Sequence, residues 1–292
     1  MIDWPDQLKI DLLSRRVVVF FGSGISKSST GRDGVTRPPL WSEFLSRGLE
    51  KAGTKGTSHI KKAISQNDLL HACEWLKKKL DDDWEPFLRE CFIDPDYSAS
   101  ETHKAIFNLD QRIYITPNFD QIFETFVISE TGGRVTVKRY CDQDVHNFLR
   151  EDRTHVIKLH GTIDSPNELI FTNHDYAQAR VKHSAFYDVL DACLLSHTFL
   201  ILGCGISDPD ITLLLENQRF NFPNSRPHYF VTSSKMPDDL KRSLRKNRNL
   251  KCLTYDPREN HSTLLQSLKN LAETMNDAPL LPVELSGNDS AQ

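Results

Sequence analysis

No apolar run in this chain approaches the roughly 20 residues that a membrane-spanning helix needs. The first residues, Met1-Ile2-Asp3-Trp4-Pro5, supply neither a basic segment nor an apolar leader core, so the expected compartment is the cytoplasm. There is no surplus of positive charge. The formal net charge is −4, which argues against a protein whose whole surface grips nucleic acid. Cysteine is sparse and scattered, at 73, 91, 141, 193, 204 and 252, with no C-x-x-C and no His at zinc spacing. The expectation is six reduced thiols, mostly packed as small apolar groups, and no metal site. Two phosphate-loop signatures also fail. The lysine loop G-x-x-x-x-G-K-[ST] is not met, because Ser26 precedes Lys27-Ser28 and Phe21 stands six before Lys27. The dinucleotide fingerprint G-x-G-x-x-G fails because its third glycine falls on Lys27.

What is present starts with bulk. With 292 residues and 38% hydrophobic content, the chain can bury one large α/β core, with room for an insertion. Val17-Val18-Val19-Phe20-Phe21 reads as a buried strand entering the glycine turn Gly22-Ser23-Gly24-Ile25-Ser26. A loop rich in Gly, Pro and Ser follows, from 28 to 39; long loops inside a domain are usually functional or mobile. Residues 40–109 then carry helix-spaced apolar positions with no strand signal, a helical insertion or subdomain over about 40–110. Beyond it, strands at 112–116, 134–140, 155–159, 168–171, 198–202, 228–232 and 250–255 alternate with helices at 119–129, 185–195, 209–220, 237–246 and 259–275. That alternation predicts a Rossmann-like α/β fold, a mostly parallel sheet with helices on both faces, as a single domain over 1–275. The polar stretch 276–292 is expected to be a loosely held tail. One basic run, residues 241–248, reads as a solvated helix end or as a local patch for an acidic partner or nucleic acid.

Four polar clusters fall at predicted strand ends, the side on which open α/β sheets bind ligands. The first is the turn at Gly22, Ser23, Gly24 and Ser26, where bare backbone amides would accept a diphosphate; a plain strand-ending turn fits equally. The second is Thr116-Pro117-Asn118-Phe119-Asp120. Asn118 offers donors and an acceptor to ribose hydroxyls or a water, while Asp120 fits either a helix cap or a ligand contact. The third is Lys158-Leu159-His160-Gly161, with an imidazole suited to accept a proton near neutral pH. His155, His174 and His183 read as surface or loop residues. The fourth is Gly203-Cys204-Gly205-Ile206-Ser207-Asp208, a second glycine turn opening a helix at Pro209. Ser207 and Asp208 could cap that helix or touch ribose, and Cys204 reads as packing. Four such clusters in this order indicate a nucleotide site.

Together these clusters resemble the sirtuin (silent information regulator) family in order and spacing from about residue 15 to 256. The resemblance implies NAD bound between a Rossmann-like sheet and a smaller helical module. Two departures stand out. Deacylase sirtuins carry four zinc-binding cysteines between the His and the second glycine turn, where this chain has only Cys193, so no zinc module is expected. The segment after the first turn, with Arg37, is also altered. These features resemble the bacterial antiphage branch of the family, whose members hydrolyse NAD, often under control of a partner subunit. In that reading Asn118 holds ribose or positions a water, and His160 accepts a proton or orients that water. Asp120 binds the carboxamide, and Ser23, Gly24, Ser207 and Asp208 hold phosphate and ribose, with Gly22, Ser26, Thr116, Gly203 and Gly205 completing the cofactor contacts. The expected function is an NAD glycohydrolase in abortive infection, acting as a homo-oligomer or with a DNA-translocase-like ATPase or Argonaute-like protein. Nucleic acid would then be met only indirectly. An NAD-dependent protein deacylase and a non-catalytic NAD- or ADP-ribose-binding regulatory subunit of a nucleic-acid-processing complex are the competing expectations.

Overall fold

A computed structural model describes residues 1–205 and 208–277. Its strands are β1 (Val17–Phe21), β2 (Ile113–Thr116), β3 (Val135–Arg139), β4 (Thr154–Lys158), β5 (Thr198–Leu202), β6 (His228–Ser233) and β7 (Leu250–Tyr255). They form one sheet in the order β3-β4-β2-β1-β5-β6-β7, and every neighbouring pair is parallel. The expected α/β architecture is therefore the observed one, with a sheet that is wholly parallel.

Side chains alternate across a strand, so β1 feeds two cores. Val17, Val19 and Phe21 join one that includes Leu8, Phe123 and Leu268. Val18 and Phe20 join the other, with Leu190, Ile211 and Leu244. Because helices cover both faces, β1 and β5 are buried at every position, which is why they read as unbroken apolar runs. Each such side chain, fully buried, contributes about 1.5–3 kcal/mol.

The stretch between β1 and β2 is helical, as its spacing predicts: Trp41–Ala52, Ser58–Ser65, Leu69–Leu80, Trp84–Phe92 and Glu101–Phe107. The first four build a third core around Phe44, Leu76, Trp84 and Phe87. Leu169 and Phe171, from the segment after β4, enter that same core and tie it to the sheet. The loop at 28–39 is anchored from outside. Thr30 forms an antiparallel bridge with Ser98 and Arg32 N–H donates to Pro95 O at 2.8 Å, while Arg37 ties the loop to itself by donating to the carbonyl of Ser28 at 3.1 Å.

Three local expectations need correction. Residues 168–171 form no strand. A 3₁₀ turn, Pro166–Glu168, leads into Leu169, Ile170 and Phe171, whose apolar run reports burial rather than ladder pairing. A helix, Asn173–Lys182, stands where none was expected. His155 is not a surface residue: it sits in β4 at 1% exposure, and burial lowers its pKa. The last helix runs Arg258–Asn276, and Ser267 on it accepts from Ile2 N–H at 3.0 Å and, through its carbonyl, from Trp4 Nε1 at 3.2 Å. Residues 278–292, most of the expected tail, lie outside the described residues.

Burial also holds His103 and His228 neutral, lowering each to about 4. In the unfolded chain each regains a value near 6.5 and binds a proton first. Their contribution to stability is therefore complete above about pH 6.5 and is lost as pH falls toward 4. Urea denaturation across pH 4–7 is expected to show stability falling with acid, and His228→Asn is expected to reduce the slope near pH 5 by about one proton.

Candidate functional site

The chain leaves β1 for one side of the sheet and returns to the other side at β5, so the two central strands mark a switch point. In open α/β sheets the crevice at such a point, beyond the carboxyl ends, is where ligands bind. Phe21 lies opposite Leu202, so β1 and β5 end level. Their glycine turns then touch. Gly22 N–H donates to Leu202 O at 3.0 Å and Gly24 N–H to Gly203 O at 2.7 Å. A Cβ on Gly22 would sit 2.4 Å from Cys204 Cβ, and one on Gly24 2.6 Å from Gly203 O. Gly203 has φ +59° and would meet Ile25 at 2.6 Å. These amides were expected to be bare. Instead Gly22 and Gly24 use them to join the two turns, because the parallel ladder continues past the strand ends.

The β2 end is wired to the first turn. Thr116 Oγ1 donates to Phe21 O at 2.8 Å and accepts from Asn118 N–H at 3.1 Å. The Asn118 side-chain amide donates to Ser26 Oγ at 3.0 Å, and Ser26 Oγ donates to Asp120 Oδ2 at 2.8 Å. Asp120 Oδ1 accepts from Ile122 N–H at 3.2 Å, at the start of the helix Ile122–Thr131. Lys158, at the end of β4 and 1% exposed, pairs with Glu124 at 2.6 Å and donates to the main-chain carbonyl of Asp120. Burial pushes the Glu124 carboxyl up, and the neighbouring ammonium opposes that shift.

His160 follows β4 and is turned by Gly161, whose φ is +80° and whose missing Cβ makes room for Glu168 O. Its Nε2 lies 3.0 Å from Asp208 Oδ2 and 3.2 Å from the Tyr176 hydroxyl, which itself donates to Asp208 Oδ2 at 2.7 Å. Asp208 Oδ1 accepts from Ile211 N–H at 2.9 Å and caps the helix Pro209–Asn221. Burial alone would raise the Asp208 carboxyl. The imidazole of His160, with the Ile211 amide and the Tyr176 hydroxyl, outweighs it and holds Asp208 below its ordinary value. Burial and then Asp208 push the Tyr176 phenol well up, so it remains a donor. Burial pushes the Cys204 thiol up to about 12, which makes it inert and accords with a packing role.

These groups border one cleft of about 420 Å³, within the range of small-molecule sites. Gly22, Ser23, Asn118, His160, Gly205 and Asp208 line it together. Ser26, Thr116 and Asp120 stand behind Asn118 at under 8% exposure, and Gly24 and Gly203 form the turn-to-turn contact. Ser207 lies outside the described residues. The opposite wall is aromatic. Trp41 stacks on Phe171 with centroids 5.7 Å apart, and Phe119 packs edge-on to Phe171 at 4.8 Å. Among the described residues no group of three or more His, Cys, Asp or Glu side chains is placed to hold a metal ion.

Tyr176 and the aromatic wall went unnoticed in the sequence. A signal for the helix that carries Tyr176 was there: Thr172-x-x-Asp175 is a capping pattern, and Thr172 Oγ1 accepts from Asp175 N–H at 3.1 Å while Asp175 Oδ2 accepts from Thr172 N–H at 3.0 Å. Nothing local marks Trp41 or Phe171 as facing a ligand rather than a core.

Residues 112–253 match the model of the SIR2-like domain. The chain is 28% identical over 144 residues to the NAD(+) hydrolase ThsA of Bacillus cereus (strain MSX-D12), covering 48% of this chain and 30% of that protein. It is 32% identical over 134 residues to the NAD(+) hydrolase ThsA of Enterococcus faecium, covering 45% of this chain and 28% of that protein. A third relative of that name, from Acinetobacter baumannii (strain 532279), is 28% identical over 130 residues. The chain thus spans less than a third of the length of these curated relatives.

Removing Lys158 strands Glu124 in the interior. Lys158→Met is expected to destabilise the protein by about 3–5 kcal/mol, and the double change Lys158→Met with Glu124→Leu to recover most of that loss. Urea denaturation of the two variants beside the parent checks this.

Proposed function

We propose that this chain, which carries a SIR2-like domain, hydrolyses NAD to nicotinamide and ADP-ribose in the cleft at the β1/β5 switch point. The observation that supports this most is the convergence of Asn118 and His160, from two different strand ends, on one hollow of dinucleotide scale. The names of the relatives support the same chemistry.

In the proposed reaction, the oxygen of a water bonds to C1′ of the nicotinamide ribose as the bond from C1′ to the ring nitrogen breaks. The bonding pair moves onto the pyridinium, which leaves as neutral nicotinamide and needs no general acid. Asn118 holds a ribose hydroxyl or the water, and its amide is aimed by the Ser26 and Asp120 relay behind it. His160 takes the proton of the water. With its Nε2 directed to Asp208, Nδ1 is the nitrogen that accepts. The ionised Asp208 fixes the ring and favours the cationic, oxocarbenium-like transition state. Ser23 and the backbone edges of Gly22 and Gly205 border the space for the diphosphate, and the aromatic wall forms the apolar side of the cleft.

The biological reading rests on that chemistry. A hydrolase that empties the NAD pool harms the cell that makes it, so we assign it to antiphage defence in the cytoplasm, restrained until self-assembly or a partner protein releases it. Residues 1–275 would act as one unit in this role.

A lost proton acceptor or positioning contact costs on the order of 100-fold or more in rate. His160→Ala and Asn118→Ala are each expected to cut nicotinamide release by at least that factor while their circular dichroism stays that of the parent. Chromatography of nicotinamide and ADP-ribose, with and without candidate partners, reads the result. Parent-like turnover by either variant removes that residue from the mechanism.

A further inference from the structure

A second hollow, of about 440 Å³, opens at the other end of the sheet. It lies between the last turns of the helices Pro209–Asn221 and Asp238–Arg248 and the loops that enter β6 and β7. The catalytic cleft sits at the N-terminal end of that first helix, so the two sites are about 20 Å apart, one helix length. Arg219, Arg242, Arg245 and Lys246 line the hollow, and among the described residues no carboxylate does. The basic run at 241–248 supplies three of these cations; Arg219 comes from the neighbouring helix.

Their partners leave most of that charge uncompensated. Arg219 Nε donates to the main-chain carbonyl of Lys246 at 3.0 Å, and its Nη1 donates to the carbonyl of Pro223. Arg245 Nη1 donates to Asn249 Oδ1 at 2.9 Å. Lys246 makes no ion pair among the described residues, and only Arg242 has a carboxylate, the exposed Asp239. Asn249, buried and left-handed at φ 52°, donates to Ser225 O at 3.1 Å and to Arg226 O at 2.9 Å, which pins the loop to the helix end. Helix dipoles favour cations in these last turns. They do not account for two guanidinium forks fixed by neutral partners around one concave space.

We propose that this hollow is a binding site for a small phosphoanion carrying two linked phosphates, as in a nucleoside diphosphate or free pyrophosphate. Guanidinium forks match phosphate oxygens in pairs, and their charge is retained because their other partners are neutral. The small size of the ligand follows from what surrounds the hollow. Asp238 and Asp239 stand at the far end of the same helix and Arg248 is paired with Glu216, so the positive surface does not continue as a nucleic-acid track. This assignment stands apart from the reading of the catalytic cleft.

Calorimetric titration of the intact protein with pyrophosphate, ADP and a 20-nucleotide single-stranded DNA tests it. Saturable one-to-one pyrophosphate binding is expected, weakened at least 10-fold by Lys246→Gln and by Arg245→Gln and kept by His160→Ala. Lys246→Gln removes no described ion pair, so its loss of binding is not a folding defect. Read on the part of the signal that Lys246→Gln removes, tighter binding of ADP than of pyrophosphate identifies a nucleotide ligand and equal or weaker binding of ADP identifies the inorganic ion; binding that Lys246→Gln leaves intact belongs to the catalytic cleft. No saturable pyrophosphate binding, equal binding by the Lys246 and Arg245 variants, or binding of the DNA alone overturns the proposal.

Discussion

Two glycine turns pressed backbone to backbone set the geometry on which the rest depends. β1 and β5 are central, parallel and level at their ends, and the hydrogen bond from Gly24 N–H to Gly203 O closes the gap between them. A Cβ on Gly22, Gly24 or Gly203 would collide with the opposite turn. This close approach brings Ser23, Gly205 and Asp208, from two separate turns, to the lining of one cleft. The glycines therefore act first by letting two strand ends meet, and only through that by shaping a site for a phosphate-bearing ligand.

Polar groups are then layered by distance from the cleft. Asn118 and His160 face it; Ser26, Asp120 and Tyr176 hold them; Lys158 and Glu124 anchor the β2 loop from the interior. Each of these side chains is tied to at least one other by a hydrogen bond or ion pair, so few side-chain rotations are left to be lost when a ligand binds. Aromatic packing of Trp41, Phe119 and Phe171 closes the other side and links the helical block to the sheet. The cleft is thus a seam between two cores, lined by polar groups on one side and apolar groups on the other.

Much of this was legible in the sequence. The apolar run at 17–21 and its kin announced buried parallel strands, and the polar residues just after them announced the ligand side of the sheet. The partnership of each residue was not legible, because it is set by strand order. Thr116 meets Phe21, and His160 meets Asp208, across distances in sequence that no local pattern encodes. Residues 168–171 show a second limit: an apolar run records burial and is silent on whether the partner is a strand or a helical core. His155 shows a third: a polar side chain reads as a surface residue, yet a strand covered on both faces buries it. The capping pattern at Thr172 and Asp175 is a local signal for the helix that carries Tyr176.

The most direct measurement is a crystal structure of the His160→Ala variant soaked with NAD. The expected result is one dinucleotide in the cleft at the β1/β5 turns, with its nicotinamide ribose within hydrogen-bond reach of the Asn118 side chain and C1′ facing the space vacated by the imidazole. A dinucleotide bound elsewhere, or lying in the cleft with that ribose turned away from Asn118, would contradict the convergence of the two strand ends on a single reacting bond.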